Sequence, residues 1–371
     1  MLVVLYSCNY NQLYKSQRYL KKIKLSILFI FFINIVFSQF IYKNSIEGNI
    51  SYGRLLSHRN SMHKLIQNNS IAGEITYNWN TYGVKPHHKE FNFPVYGLSL
   101  NLNNSGNLNN IGYIYSIYSF VSIPISKHKK PYRIKVGLGT AFADKIFDLQ
   151  SNYQALALGS NINANVILRV EKNIIIDNKK DIYFGIGLNH VSNAAFKTPN
   201  LGLNFISINL GITLFRNKIN LDSIIKKPIA SYNKFQFDII NSSALKENIT
   251  PLQDKFYINE TSLQYKYRKG LKSSYIIGSD FLVNPSLIEF TNKKIQLGIF
   301  TGHILHLDKL KLGVIMGTYV YNIKQKSETF YHKLFSEYDL NNNLSIRLSL
   351  KSHWAKADFF SLGVGYKIFK R

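Results

Sequence analysis

The sequence predicts an all-β protein: a transmembrane antiparallel β-barrel of about 14–16 strands. Runs of alternating apolar and polar residues, each about 10–13 residues long, recur from residue 45 to the end of the 371-residue chain. Tyrosine and phenylalanine number 25 each, whereas the mean hydropathy of −0.09 is too low for a bundle of membrane helices. Ordinary soluble strands average about 5–6 residues, but a tilted membrane strand needs about 9–11.

The first element along the chain is a predicted signal peptide at residues 1–38. Its basic segment KSQRYLKKIK precedes the apolar run LSILFIFFINIVF, which is followed by Ser38 and Gln39. An apolar run of about 13 residues is short for a bilayer-spanning helix, which needs about 20, and this order of segments is typical of export signals. We expect cleavage near Ser38, with an uncleaved anchor as the alternative. Cys8 is the only cysteine, so the exported chain would contain neither a disulfide nor a thiol nucleophile.

Fifteen clear strand-like runs follow, separated by turn-forming segments such as DNKKD and by longer polar loops. A sixteenth run, SETFYHKLF at residues 327–335, is uncertain. The clear runs are residues 45–56, 71–83, 93–103, 113–125, 132–143, 161–172, 181–192, 204–215, 233–242, 257–269, 273–283, 294–307, 310–322, 342–354 and 358–369. Because the unpaired edges of a sheet cannot be left in hydrocarbon, membrane-spanning strands must close into a barrel.

A weak internal sequence similarity divides these strands into two predicted barrel halves, 39–215 and 216–371. KVGLGTAF and LGITLF in the first half resemble LKLGVIMGTYV and LGVGYKIF in the second. The join contains RNKINLDSIIKKPIAS, the expected linker. A single barrel is the main prediction, and an eight-stranded barrel with an appended second β unit is the alternative.

The formal net charge of +26 favours polyanionic partners, namely nucleic acid, anionic lipid or the phosphates of lipopolysaccharide, and compositional drift toward lysine is the alternative cause. No basic helix, zinc-finger spacing or aromatic RNA-binding motif points to nucleic acid. An exported barrel ending in Phe369 before two basic residues is typical of the outer membrane of a Gram-negative bacterium. Nothing in the sequence indicates an oligomeric state.

A candidate site lies in GLNHVSNAAFKTPNLGLNF, between the seventh and eighth runs. Ile186 and Leu188 share the apolar face of the seventh run, and the period of two puts His190 and Ser192 on that same face. Asn204 continues the apolar face of the eighth run. Three polar side chains therefore converge on the predicted lipid-facing surface, where polar groups are costly and need an explanation.

The chemistry of these residues fits acyl transfer. Residues i and i+2 of a strand place their Cβ atoms roughly 6–7 Å apart on one face, so the imidazole of His190 can reach the Ser192 hydroxyl as a nucleophile–base pair. Asn204 is the candidate to orient the imidazole. Asn193 and Asn200 are candidate donors to an oxyanion. The spacing alone is weak evidence, and polar residues at a barrel rim are the structural alternative.

HVSNAAFKTPNLGLNF resembles the signature of the lipid A 3-O-deacylase family, also called acyloxyacyl hydrolases. The resemblance is specific from Tyr183 to Ile208, looser over roughly 110–215, and does not extend to 216–371. It implies an outer-membrane barrel esterase that cleaves an ester-linked acyl chain of lipid A, with His190 as base and Ser192 as nucleophile. It also implies that Asn193 belongs to the oxyanion hole and that Asn200 supports it. Asn204 stands where the family has glutamate, and an amide can orient the imidazole but cannot offset the charge of the imidazolium.

We therefore predict a carboxylic ester hydrolase that acts on lipid A in the outer leaflet without a cofactor. The alternative is a non-catalytic outer-membrane barrel, either a pore or an inactive lipid-binding relative. Asp144 is the alternative carboxylate for orienting His190 in place of Asn204. His353 is interpreted as a lumen or rim residue. No metal site is predicted, because acidic or cysteine companions at metal-ligand spacing are missing around four further histidines: His87, His88, His303 and His306.

Overall fold

The structure is a computed structural model that describes residues 43–125, 131–216, 232–248, 255–325, 328–354 and 356–371. The predicted signal peptide and almost all of the predicted linker lie outside these residues. Among the described residues, no helix is long and apolar enough to span a membrane.

Sixteen antiparallel strands form the described chain, and the uncertain run of the sequence analysis contributes to one of them, β14. The first eight are Lys43–Leu55 (β1), Ser70–Asn80 (β2), Val95–Asn104 (β3), Tyr113–Pro124 (β4), Tyr132–Ala143 (β5), Ile162–Ile175 (β6), Lys180–Ser192 (β7) and Leu203–Phe215 (β8). The second eight are Phe235–Lys246 (β9), Phe256–Lys269 (β10), Ser273–Val283 (β11), Ile295–Leu307 (β12), Leu310–Tyr321 (β13), Phe330–Asp339 (β14), Leu344–His353 (β15) and Lys356–Lys370 (β16).

Four short helices lie in those connections that the structure describes. Two are 3-10 helices, at Asn60–Leu65 and Pro285–Leu287. The other two are α-helices, Pro86–Glu90 (α1) and Ile288–Thr291 (α2).

The strands close into two separate eight-stranded barrels, β1–β8 and β9–β16. β1 pairs with β8, so that Leu55 lies opposite Phe205, and β16 pairs with β9, so that Ser361 lies opposite Ala244. The alternative of an eight-stranded barrel with a second β unit is therefore the arrangement found, and the chain does not form one barrel of 16 strands. The reason lies in pairing: β8 returns to β1 instead of continuing to β9.

Both barrels carry apolar side chains outside and polar side chains inside. In the first barrel Ile50 is 67% exposed, whereas Glu74, which points inward, is 4% exposed. The period of two along each strand gives this alternation. It is the reverse of a soluble barrel and matches the pattern of barrels that are surrounded by lipid.

Charged side chains fill the lumen of the first barrel. The guanidinium of Arg169 donates to both carboxylate oxygens of Glu74 at 3.1 and 2.9 Å, and the ammonium of Lys135 lies 2.8 Å from Glu47. Tyr118 donates to Glu74 at 2.5 Å. An eight-stranded barrel is just wide enough for its side chains to fill it. This interior is therefore packed, and its side chains are joined by hydrogen bonds and ion pairs.

The second barrel is filled in the same way by a separate set of residues. Lys333 lies 2.7 Å from both Glu260 and Asp280, and Glu337 forms ion pairs with Lys311 and Arg347. Burial of these charges is tolerated because each has a partner of opposite sign.

An apolar cluster closes one end of the first barrel, at the rim that carries the connections after β1, β3, β5 and β7. Met62 and Leu65 of the first 3-10 helix pack there against Val191, Leu203 and Phe205, which point inward from β7 and β8. These buried contacts hold the ends of β7 and β8 from inside the barrel. The residues next to Val191, Leu203 and Phe205 along the strands have their side chains on the outer face.

The two barrels contact each other at both rims. At one rim the ammonium of Lys85 lies 2.6 Å from Asp308, and Phe91 packs against Val121 and Leu307. At the other rim the connection after β7 meets Glu247, which follows β9.

Candidate active site

The candidate site lies on the outer face of the first barrel, where β7 ends and β8 begins. His190 and Asn204 are directly opposite each other across the β7–β8 pair, and their side chains therefore lie on one face. Ile186 and Leu188, at the same parity in β7, are exposed on the outside. His190 and Asn204 are half-buried, whereas Ser192 is 3% exposed.

The three side chains form a hydrogen-bonded chain. Nδ1 of His190 lies 2.6 Å from Oδ1 of Asn204, and Nε2 of His190 lies 2.9 Å from Oγ of Ser192. Because an amide oxygen only accepts, Nδ1 of His190 carries the proton and Nε2 presents a lone pair to the serine hydroxyl. This is the tautomer that a general base needs.

His58, in the connection after β1, fixes the orientation of the Asn204 amide. Nδ2 of Asn204 donates to Nδ1 of His58 at 3.1 Å, so the other end of the amide, Oδ1, is directed at His190. The closure of the barrel creates this contact, because pairing of β1 with β8 brings the chain around Leu56 to Asn204, whose carbonyl accepts from the Leu56 N–H at 2.7 Å.

Asn193 and Asn200 shape the connection between β7 and β8, residues 193–202. The Asn193 amide nitrogen donates to Oγ of Ser160 at 2.8 Å and to the carbonyl of Lys197 at 3.0 Å. The Asn193 N–H donates to Oδ1 of Asn200 at 3.0 Å. The Asn193 amide nitrogen is therefore engaged within and beside the loop, and the Asn200 amide oxygen is engaged within it.

Gly202 lies directly behind the side chains of His190 and Ser192. Its φ of +75° falls in the left-handed region that favours glycine. A Cβ at this position would lie 3.0 Å from Cε1 of His190 and 3.4 Å from Cβ of Ser192. Glycine thus allows the backbone to approach the imidazole closely.

The structure brings His190, Ser192 and Asn204 into contact and places Asn193 and Asn200 beside them. Neither His58 nor Gly202 was predicted as a site residue from the sequence. Gly202 had a signal, since it stands in the quoted motif within two residues of Asn204. His58 lies 146 positions from Asn204 and had none.

The other candidates lie apart from this contact chain. The Asp144 carboxylate packs against Gly112 and is not a partner of His190. His353 is buried in the second barrel, where Nδ1 donates to the carbonyl of Phe330 at 2.9 Å. Among the described residues, no group of three or more histidine, cysteine or acidic side chains is arranged to hold a metal ion.

A cavity of about 330 Å³ lies at the mouth of the second barrel, at the rim opposite Glu247. Lys266, Arg268 and His306 are among its lining residues, and His190 and Ser192 are not. The cavity is therefore remote from the candidate chemistry.

Two family models match the chain over most of its length. Residues 71–213 match the family described as lipid A 3-O-deacylase (PagL), and residues 235–371 match the family described as acyloxyacyl hydrolase, C-terminal domain. The second match corrects the expectation that the resemblance stops at residue 215. A comparison with curated proteins finds no match.

The solved structures that resemble the chain include a porin and an outer membrane protein, both at low similarity. A mutant of the Rh. blastica porin is 10% identical and aligns over 88% of this chain and 100% of its own, with a TM-score of 0.20. The Acinetobacter baumannii outer membrane protein Omp33 is 9% identical and aligns over 88% of this chain and 98% of its own, with a TM-score of 0.19. Likeness at this level carries no information about function.

Proposed function

Since the chain belongs to the lipid A 3-O-deacylase family, we propose that it is an outer-membrane esterase that removes an ester-linked acyl chain from lipid A. The observation that carries this proposal is the chain of contacts from Ser192 through His190 to Asn204, with a lone pair of His190 directed at the serine hydroxyl. A nucleophile, its base and an orienting group in this order are what acyl transfer requires.

In the proposed reaction, Oγ of Ser192 attacks the carbonyl carbon of the acyl ester while Nε2 of His190 takes the hydroxyl proton. Collapse of the tetrahedral intermediate breaks the bond to the sugar oxygen, and His190 returns the proton to that leaving oxygen. Water then attacks the acyl-serine with His190 again as base. The fatty acid leaves, and the Ser192 hydroxyl is regenerated.

The substrate would reach Ser192 from the outer leaflet of the membrane. The apolar side chains that surround the site in β7 and β8, such as Leu188 and Ile206, are exposed on the outer face and would contact the acyl chains of the lipid. On this proposal the ester bond approaches the barrel laterally. The lumen takes no part, which accords with its filling by paired charges.

We assign Asn193 and Asn200 to support of the oxyanion site through the loop that they hold. Direct donation from the Asn193 amide to an oxyanion would require the amide to leave one of its two present acceptors, Ser160 or Lys197. Binding of the substrate would supply the replacement acceptor, since an oxyanion accepts more strongly than a neutral oxygen.

A non-catalytic lipid-binding barrel is the second candidate, and the amide at position 204 favours it. Asn204 orients His190 but cannot offset the positive charge that the imidazole acquires in the transition state. In a Ser-His-Asp protease, replacing the acid by its amide lowers turnover about 10⁴-fold. The pore alternative finds no support, because both lumens are filled.

Mass spectrometry of lipid A from cells that produce the wild type, Ser192→Ala or Ser119→Ala would test the proposal. Ser119 is an exposed serine on the outer face of β4 and serves as the matched control. We expect a lipid A species that has lost one acyl chain with the wild type and with Ser119→Ala, and its absence with Ser192→Ala. Identical lipid A profiles for the wild type and Ser192→Ala would exclude the enzyme and leave the lipid-binding barrel.

A further inference from the structure

The loop between β7 and β8 has a backbone that needs external support. Ala194 and Ala195, two and three residues after Ser192, have φ angles of +48° and +61°. Residues with a Cβ adopt this left-handed conformation at a cost. Two such residues in succession are maintained only where surrounding contacts hold them.

Part of that support comes from the first barrel and acts at the end of the loop. The Leu201 N–H donates to the carbonyl of Leu156 at 3.3 Å, and the Gly202 N–H donates to the carbonyl of Ala157 at 2.9 Å. These bonds anchor the return of the chain into β8, but they do not reach the left-handed pair.

The support at the left-handed pair comes from the second barrel. The N–H of Glu247 donates to the carbonyl of Ala195 at 2.9 Å. The Glu247 carboxylate accepts from the N–H and the hydroxyl of Thr198 at 2.8 and 3.2 Å. In the described part of the chain, the hydrogen bonds that leave residues 195–198 for other elements all end on Glu247.

The residues on both sides of Glu247 are anchored by contacts within the second half of the chain. The preceding residue, Lys246, extends into the second barrel, where its ammonium lies 2.6 Å from Asp358. The following residue, Asn248, donates to Glu289 at the start of α2 at 2.5 Å. Glu247 is 8% exposed, so its bonds to Thr198 are shielded from water, and hydrogen bonds to a buried carboxylate are among the strong ones.

From these contacts we propose that the second barrel is a positioning element of the active site, and that Glu247 is the residue through which it acts. This inference rests on the proposed esterase function. Glu247 holds the loop that begins immediately after Ser192 and that contains Asn193 and Asn200, so it determines where the oxyanion-side groups lie relative to the serine. Glu247 touches no reacting atom and is a positioning residue. A chain reduced to the first barrel would keep His190 and Ser192 but lose this support.

Four full-length proteins in detergent micelles test the inference: the wild type, Glu247→Ala, Glu247→Gln and Asp308→Ala. Asp308→Ala is the matched control, because it breaks the ion pair with Lys85 that joins the same two barrels at the opposite rim. Each protein is measured twice, by hydrogen–deuterium exchange of residues 193–202 and by fatty acid release from lipid A over a range of substrate concentrations.

We expect Glu247→Ala to speed exchange in the loop and to lower kcat about tenfold, with KM within about twofold of the wild type. A tenfold loss corresponds to about 1.4 kcal/mol of transition-state stabilisation, and small misplacements of supporting groups act on kcat in this way. Glu247→Gln keeps an acceptor for the Thr198 N–H and should recover most of kcat. Asp308→Ala should change neither measurement.

Each outcome decides a separate point. Unchanged loop exchange in Glu247→Ala overturns the inference, whether or not the wild type is active. Faster exchange with an unchanged kcat overturns the positioning role. Faster exchange in a chain whose wild type releases no fatty acid shows that the second barrel holds the loop and that the proposed esterase function has failed.

Discussion

The contact between His58 and Asn204 leads to a quantitative prediction about the tautomer of His190. In His58→Ala the Asn204 amide loses the acceptor of its Nδ2–H, and it can rotate to present Nδ2 to His190. His190 would then carry its proton on Nε2 and could not act as base toward Ser192. Activity falls because the population with the competent amide orientation falls.

The size of the effect follows from the contact itself. A hydrogen bond between two neutral groups contributes about 0.5–1.5 kcal/mol net, and the bond from Asn204 to His58 is 3.1 Å long with His58 exposed. If its loss makes the two amide orientations equally populated, kcat/KM falls about twofold. If its full free energy is lost, the fall approaches tenfold.

A double-mutant cycle with Asn204→Asp isolates this mechanism. Both carboxylate oxygens accept, so rotation of the aspartate cannot change the tautomer of His190. Asn204→Asp alone should raise kcat by about tenfold or more, because the carboxylate also stabilises the imidazolium. His58→Ala should then have no measurable effect in the Asn204→Asp background.

The assay is fatty acid release from lipid A in mixed micelles, with His63→Ala as the control. His63 is an exposed histidine in the same connection, and its replacement should leave kcat/KM unchanged. Equal losses from His58→Ala in both backgrounds would refute the tautomer argument. So would an unaltered kcat/KM in the single variant.

Three further predictions concern the surroundings of the site and the two interiors. Gly202→Ala should lower kcat more than tenfold, because its Cβ would displace the imidazole of His190. Gly270→Ala has a similar φ of +77° with no atom within 4 Å, so it should lose a similar amount of stability, about 1 kcal/mol, and keep full activity. Arg169→Met leaves Glu74 buried without its bidentate partner and should lower the free energy of unfolding in guanidinium by about 3–5 kcal/mol; a change below 1 kcal/mol would contradict this. Burial in α1 lowers the pKa of His87 to about 4, below its unfolded value of about 6.5. The folded state therefore favours the neutral form, and the free energy of unfolding should fall as pH decreases from about 6.5 to 4. His87→Gln should weaken that dependence when the free energy of unfolding is measured over the same pH range.

The sequence was sufficient to predict the strands and the shared parity of His190, Ser192 and Asn204. Alternation in the seventh and eighth runs put His190, Ser192 and Asn204 at one parity, and the pairing of His190 with Asn204 agrees with that prediction. These properties depend on neighbours along the chain and on one hairpin, where the period of two applies directly.

The number of barrels could not be derived in the same way. Each strand alternates identically whether the sheet closes after eight strands or after sixteen. Closure depends on whether β8 pairs with β1 or with β9, which is a contact between distant segments. His58 could not be found for the same reason, because only the β1–β8 pairing brings it to Asn204. Glu247 reaches the loop from the other barrel and likewise has no local signal.

The division of sixteen strands between two filled interiors has a consequence for the cell that makes this protein. Barrels of 16–18 strands enclose an aqueous channel, so one ring built from the same strands would let small solutes leak through the membrane. Two narrow rings, each plugged by paired charges such as those of Glu74 and Glu260, add a large membrane surface without a leak. A membrane that holds this chain would therefore gain no open channel through either described interior.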